Sequence, residues 1–247
     1  MGAGAENITP YDNKRRKTEQ VREMFDSIAP AYDFMNKAMT MGIDRWWRRR
    51  AVNRIKAEHP CSILDVATGT GDVAIALARA IEGCHVTGID LSEGMIEHGR
   101  AKIKSKGLVG RVTLEVADCL DLPIADNTFD CVTVAYGVRN FERLSEGYAE
   151  MLRVLRPGGL LAVLELSTPD TPLVAQLYRV YTRCVIPAIG RMVSGDSRAY
   201  TYLPESIAAV AQGEDMLDIA RSVGFSDAEY HRYTFGTCTL YLARKPR

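Results

Sequence analysis

The stretch Ile63-Leu64-Asp65-Val66-Ala67-Thr68-Gly69-Thr70-Gly71-Asp72 decides how the rest of the chain is read. Ile63 to Val66 is a short apolar run with one acid in it, as expected of a buried strand. Gly69 and Gly71 can take backbone angles denied to other residues, and without a Cβ they let a ligand lie against the main chain. Val73-Ala74-Ile75-Ala76-Leu77-Ala78 then reads as a helix. The first N–H groups of that helix have no partner within it and face the turn. Strand, glycine turn and helix together make a ligand-binding corner.

The charge of the corner selects the ligand. Gly-x-Gly-x-x-Ala also matches a dinucleotide fingerprint. Asp65 at the strand end and Asp72 at the helix start would place like charges beside a pyrophosphate. A ligand with an ammonium and a sulfonium suits them, and S-adenosylmethionine fits that description.

Downstream, His85–Asp90 reads as a second strand ending in an acid, and Leu91-Ser92 leads into a helix capped by Ser92. Asp90 follows the glycine turn by about 20 residues, the offset at which a carboxylate accepts ribose hydroxyls. Val112–Ala117 is a third strand, followed by Asp118-Cys119. A single such aspartate is usually a turn or cap residue. Acids at three consecutive strand ends, beside the glycine turn, point to one ligand edge. Phe129–Ala135 is a fourth strand and runs into Tyr136-Gly137-Val138-Arg139-Asn140. After a helix, Pro157-Gly158-Gly159 separates it from a fifth strand over Leu160–Leu166. A helical, partly aromatic insertion spans about 170–195. Pro204 opens a helix ending near Gly224, and two strands close the chain. The fold expected is α/β, a doubly wound, seven-stranded, mostly parallel sheet.

Upstream, residues 1–17 are small, polar and basic, and are expected to be flexible. Residues 18–58 read as an N-terminal helical cap: Val21, Met24, Phe25 and Ile28 share a face. Tyr32, Met35, Asn36 and Trp47 make this segment either a cap packed on the core or a lid over an apolar substrate. A helix over Asp44–Ala57 would bury Trp47, Ala51 and Ile55 and expose its arginines. Residues 59–247 form the main domain.

The 247 residues are 47% hydrophobic and 25% charged, with zero formal net charge, which suits one large domain without a global pull toward nucleic acid. The basic runs Lys14–Lys17 and Arg48–Arg50 read as solvated surface. Six scattered cysteines without a CxxC fit reduced thiols in the cytoplasm. The four histidines lack ligand spacing, so no metal site is expected. No secretory signal or membrane span is apparent.

With these pieces in hand, the chain resembles the class I S-adenosylmethionine-dependent methyltransferases over about residues 60–247. Within them it is similar to the ubiquinone/menaquinone biosynthesis C-methyltransferases (UbiE/MenG). Tyr32-Asp33-x-Met35-Asn36 with Trp47, then Gly137-Val138-Arg139-Asn140, then Arg153–Gly159 with Glu165 and Ser167, carry that likeness. Asp44 stands where the family usually has His, and Ala67 replaces a glycine common in methyltransferase loops. Ala135 replaces a cofactor-contacting Ser of some members.

The resemblance implies methyl transfer to a ring carbon of demethylmenaquinol, or of the related polyprenyl benzoquinol. Thr70, Asp90, Asp118 and Cys119 would meet the cofactor, alongside Asp65, Gly69, Gly71 and Leu91. Arg139, which cannot serve as a base near neutral pH, would stabilise an oxyanion with Asn140. Asp33 would accept the proton, and Tyr136 is a further candidate. Tyr32, Met35, Asn36 and Trp47 would bind substrate. Methylation of another small aromatic or lipid acceptor, a nicotinamide dehydrogenase and a non-catalytic module are the rivals. The lipid-tailed partner suits a groove opening on the inner face of the cell membrane. The oligomeric state stays open, a homodimer included.

Overall fold

The structure is a computed structural model that describes residues 4–185 and 197–247. Its strands β1 (Ser62–Val66), β2 (His85–Asp90), β3 (Val112–Val116), β4 (Phe129–Ala135), β5 (Leu155–Leu166), β6 (Ser226–Tyr233) and β7 (Cys238–Arg244) form one sheet in the order 3-2-1-4-5-7-6. β7 runs antiparallel to both β5 and β6, and the other pairs are parallel. Strand order reverses between β1 and β4, so a crevice opens there beyond the strand C-termini.

The helices are α1 (Lys17–Ile28), α2 (Tyr32–Met39), α3 (Asp44–Lys56), α4 (Asp72–Ala80), α5 (Glu93–Ser105), α6 (Leu144–Val154), α7 (Pro172–Val180), α8 (Ser197–Ala209) and α9 (Glu214–Ser222). Alternation along the strands splits the core into two layers. Leu64, Val132 and Val163 pack against Tyr148, Met151 and Leu217 of α6 and α9. Ile63, Cys131 and Leu164 pack against α3, α4 and α5, with Trp47 and Ile55 of α3 buried among them. Of the segment 18–58, α3 is therefore part of a core layer. α1 and α2 pack elsewhere, through Met24, Ile28 and Met35, on Met95 of α5 and Tyr202 of α8.

Three expectations change. Residues 1–17 were expected to be flexible, yet from Ala5 onward they make specific contacts. Ala5 is buried, Glu6 Oε1 accepts from Leu144 N at 2.6 Å, and Gln20 Oε1 accepts from Tyr11 N and Asp12 N. Pro157-Gly158-Gly159 lies inside β5 rather than before it. There Gly158 N–H donates to Lys245 O, and pairing jumps from Phe129↔Leu155 to Cys131↔Leu160. Such a bulge tolerates a proline that has no N–H to donate. Pro204 sits within α8, which starts earlier and buries Ala199 and Tyr202; Gly213, at φ +58°, precedes the separate α9. The part of the 170–195 insertion from residue 186 onward lies outside the described residues.

Candidate active site

The β1–α4 turn is strained by design of its sequence. Ala67 (φ +52°), Gly69 (φ +56°) and Gly71 (φ +77°) are left-handed in quick succession. For Ala67 this is unfavourable, and the methyl fits because Gly137 opposite has none. A Cβ at Gly137 would stand 2.6 Å from that of Ala67. The turn is thus keyed to the segment that follows β4.

Asp90 ends β2 and fastens the turn from the side. Its Oδ2 accepts from Gly69 N at 2.8 Å and its Oδ1 from Ser92 N at 3.0 Å. Burial pushes its carboxyl up, against the pull of those bonds. Asp118 Oδ1 accepts from Leu120 N. A narrow crevice of about 60 Å³ is lined by Gly69, Asp90, Leu91, Asp118 and Cys119 from the sheet edge, with Phe25 and Tyr32 across it. Burial raises the Cys119 thiol far above its ordinary value, so it stays a neutral packing group there. Asp65 and Thr70 line a separate small space on the other side of the turn rather than this crevice, and Gly71 lines neither. Asp65 is almost fully buried, accepts from Thr68 Oγ1 at 2.6 Å, and has its Oδ1 without a partner. Its burial raises it to about 7.

Beside the crevice lies an apolar cavity of about 500 Å³, lined by Tyr32, Met35, Asn36, Trp47, Arg139 and Asn140 together with Tyr178, Tyr181 and Tyr202. Tyr32, Tyr136 and Asn140 line both spaces, so the two adjoin. All four residues expected to bind substrate are in this wall. Trp47 Nε1 donates to Thr234 Oγ1 at 2.8 Å, which fixes its ring. A larger open groove of about 1920 Å³ lies against α8 and α9 and shares Tyr178 and Ile207 with the cavity, but no candidate site residue from the sequence lines it.

Arg139 is the buried cation of the cavity. Its Nη1 donates to Glu165 Oε1 at 2.7 Å and to the carbonyl of Tyr136, while its Nε has no partner. Burial alone would lower its pKa, but Glu165 beside it reverses the direction, so the guanidinium stays charged. Asn140 Oδ1 accepts from Tyr202 OH at 3.1 Å. Lys17 holds the same turn from below, donating through Nζ to Ala5 O, Arg139 O and Phe141 O at 2.6, 3.0 and 3.3 Å.

Two catalytic expectations do not fit the geometry. Asp33, expected to accept a proton, does not line the cavity. It points to the outside of the glycine turn, where it pairs with Lys102 and accepts from Thr70 Oγ1 at 2.6 Å. Tyr136 is in the wall, but its hydroxyl is buried beside Cys238 and without a partner in oxygen or nitrogen. Burial raises that phenol well above its ordinary value, so it remains protonated.

Sequence reading also missed residues. Arg48 was assigned to solvent with its neighbours, yet only 16% of its side chain is exposed. Its Nη2 pairs with Asp44 at 2.6 Å and its Nη1 with Asp72 at 3.2 Å. The Asp44–Arg48 spacing of one helical turn was the available signal. The pair also answers the unusual acid at position 44, whose charge Arg48 and Thr40 take up. Lys17, Lys102 and Tyr202 carried no local signal, because their partners are remote in sequence.

A doubly wound sheet with β7 reversed, acids on its C-terminal edge and a strained glycine corner defines a class I methyltransferase. A sequence model of the ubiE/COQ5 methyltransferase family matches residues 13–245, and the chain belongs to that family. It is 49% identical to a demethylmenaquinone methyltransferase of Bacteroides fragilis, over 99% of this chain and 100% of that protein. With a demethylmenaquinone methyltransferase of Porphyromonas gingivalis the identity is 48%, over 97% and 98%. With the ubiquinone/menaquinone biosynthesis C-methyltransferase UbiE of Geobacter sulfurreducens it is 44%, over 96% and 93%. Among solved structures, the [4+2]-cyclase SpnF superposes with a TM-score of 0.70 at 20% identity, covering 93% of this chain and 97% of that one. That likeness concerns the fold alone.

Proposed function

We propose that this methyltransferase moves a methyl group from S-adenosylmethionine to a ring carbon of demethylmenaquinol, giving menaquinol and S-adenosylhomocysteine. The observation that carries the reading is Arg139, a buried guanidinium with a free Nε, in an apolar cavity that adjoins the glycine-turn crevice. The names of the relatives above support the naphthoquinol as acceptor.

The donor supplies an electrophilic methyl on a sulfonium. The chain's residues suit the rest. Asp90 offers a carboxylate to the ribose hydroxyls, and the unbranched main chain at Gly69 lets the nucleoside lie close. A phenol titrates near about 10, so a neutral quinol carbon needs help to become a nucleophile. A guanidinium beside the ring oxygen stabilises the quinolate and the charge that it carries onto carbon. Asn140 orients the same oxygen. The donor would supply the methyl as its C–S bond is exchanged for the new C–C bond; the phenolic proton leaves to form the quinolate, and that oxygen is reprotonated when the methylated ring carbon gives up its own proton and aromaticity returns. Asp44 is the carboxylate that lines the cavity among the described residues, and it is tied to Arg48 and Thr40, so no side chain there is a free base. Holding donor and acceptor in line, away from water, accounts for much of such a barrier, roughly 7–11 kcal/mol in favourable cases.

The isoprenoid tail suits the same cavity, whose Met41, Ile43 and Leu177 are also exposed at the surface. No helix among the described residues is long and apolar enough to cross a membrane. Exposed Phe34, Trp46 and Phe235, with exposed Arg45 and Arg49 either side of Trp46, suit a shallow contact with an anionic bilayer. Helices α1 and α2 serve as the lid. The test is a product-mass assay with short-chain demethylmenaquinol and the corresponding benzoquinol. A mass gain of one methyl on the naphthoquinol ring supports the reading, and methylation of the benzoquinol alone, or of neither, refutes it.

A further inference from the structure

We propose that Tyr202 is a positioning residue for methyl transfer: through Asn140 it turns an amide NH2 toward the ring oxygen that Arg139 stabilises. This rests on the acceptor being a ring phenol, as in the proposed quinol. It brings into the site a residue of α8 that lies outside the motifs on which the family likeness stands.

Asn140 stands where the two spaces meet, since it lines both the crevice and the apolar cavity. Its backbone is fixed. Val138–Asn140 form a 3-10 turn, and Asn140 N donates to Gly137 O at 2.9 Å. Lys17 Nζ holds the flanking carbonyls of Arg139 and Phe141. What the backbone leaves open is the rotation of the amide. One side of an amide accepts and the other donates, in nearly the same shape. Packing therefore selects poorly between the two settings, and a hydrogen bond has to do so.

Tyr202 supplies that bond. Its OH donates to Asn140 Oδ1 at 3.1 Å, and this is the one side-chain hydrogen bond of Asn140 among the described residues. Burial raises the Tyr202 phenol, so it keeps the proton that it donates. Without it the amide oxygen would be drawn to the Arg139 guanidinium in the same cavity and would face a substrate oxygen with an acceptor. With Oδ1 taken, the Asn140 NH2 is left for a ligand, beside the unpartnered Nε of Arg139. A guanidinium and an amide NH2 on one oxygen favour its ionised form. The tyrosine is only 3% exposed and shares a packed cluster with Met24 and Ile28 of α1 and Met35 of α2. The amide is thus set from the lid side of the cavity, and seating of the lid completes the pair of donors.

The experiment uses the full chain with S-adenosylhomocysteine bound and 4-nitro-1-naphthol as a ring phenol whose absorbance reports its ionisation. The other charged groups of the cavity wall are paired, Asp44 with Arg48 and Arg139 with Glu165. Burial raises the phenols of Tyr32, Tyr136, Tyr178 and Tyr181, so the probe is the group that titrates. Wild type is expected to lower the ionisation midpoint of the bound naphthol relative to water. In Tyr202→Phe the midpoint should lie about one pH unit above that of wild type, as for one lost charge-assisted hydrogen bond. With short-chain demethylmenaquinol, Tyr202→Phe should lower kcat about tenfold and leave KM and S-adenosylhomocysteine affinity nearly unchanged. Asn140→Ala should act in the same direction, and Tyr202→Phe/Asn140→Ala should be no worse than Asn140→Ala alone, in the midpoint as in kcat.

A wild type that leaves the midpoint where it lies in water overturns the proposal without recourse to any variant. A folded Tyr202→Phe with the wild-type midpoint overturns it too, even if its melting temperature falls, since a purely structural tyrosine would behave in that way. Additive losses in the double variant overturn it as well, because Tyr202 would then act without Asn140. If wild type shifts the naphthol midpoint and Tyr202→Phe reverses the shift, yet demethylmenaquinol is not methylated, the acceptor reading fails and the role of Tyr202 stands.

Discussion

Arg139 and Glu165 face each other at 2.7 Å with side chains 8% and 2% exposed, and their separation by mutation is the sharpest test of the site. Arg139→Met removes the cation at similar length and strands Glu165 in the core. Breaking a buried pair by losing one partner costs about 3–5 kcal/mol, since the remaining charge is uncompensated. Glu165 keeps some relief, as Oε1 also accepts from Leu166 N and Oε2 from Arg139 N at 3.3 Å, so the lower end of that range is expected. For a chain of this size each kcal/mol moves the melting temperature by roughly 2–4 °C, so the single variant should melt about 6–12 °C lower. Arg139→Met/Glu165→Gln removes both charges and should recover most of the deficit, because a neutral pair in a low-dielectric site has little to desolvate. Turnover should be lost in both variants, while S-adenosylhomocysteine binding survives in the double. The assays are thermal melts and urea titrations at neutral pH, with calorimetry on the same samples. A single variant as stable as wild type, or a double no better than the single, would refute charge compensation as the reason for Glu165. Wild-type turnover in the double would refute the role of Arg139.

Asp65 should make stability depend on pH. Its carboxyl is raised to about 7 in the fold, against about 3.9 for an ordinary aspartate. The folded state thus holds the proton more tightly, and the associated stability is lost as pH rises from about 4 to about 7. Asp65→Asn should match wild type near pH 4 and melt higher at pH 8; a constant gap across that range would show that Asp65 is not the titrating group. Lys17→Met leaves the carbonyls of Ala5, Arg139 and Phe141 short of a donor. It should cost about 1–3 kcal/mol in urea titrations, with turnover falling further than cofactor affinity, and an unperturbed melt would contradict the staple. Asp90→Ala removes the acceptor for Gly69 N and Ser92 N; S-adenosylhomocysteine should bind at least about tenfold weaker by calorimetry, and equal binding would dismiss the ribose contact. Gly137→Ala drives a methyl to 2.6 Å from Ala67 Cβ and 2.9 Å from Val134 Cγ1. Overpacking of that kind costs about 1–3 kcal/mol, so a neutral effect would mean that the two loops are not keyed together.

Local chemistry made much of the fold readable. The run Ile63–Asp72, the apolar strands and the Ser92 cap are decided by residues within a few positions of one another, and repeated strand–helix units point to a doubly wound sheet without fixing its strand order. Acids after successive parallel strands must share one edge, which is why Asp65, Asp90 and Asp118 could be grouped without coordinates. Side-chain direction at the helices is another matter. Arg48 and Arg49 are adjacent and chemically alike, yet one turns to Asp44 and Asp72 while the other faces solvent. Asp33 belongs to the family motif but spends its charge on Lys102, from a helix far along the chain. Lys17 looked like part of a basic tail and is buried under carbonyls more than a hundred residues away. The sequence by itself determined where backbone freedom, periodicity and strand-end acids had to fall, because those are short-range. Only the tertiary structure decided which charges are paired, and so which remain free for a ligand, because a buried ion chooses its partner across the fold rather than along the chain.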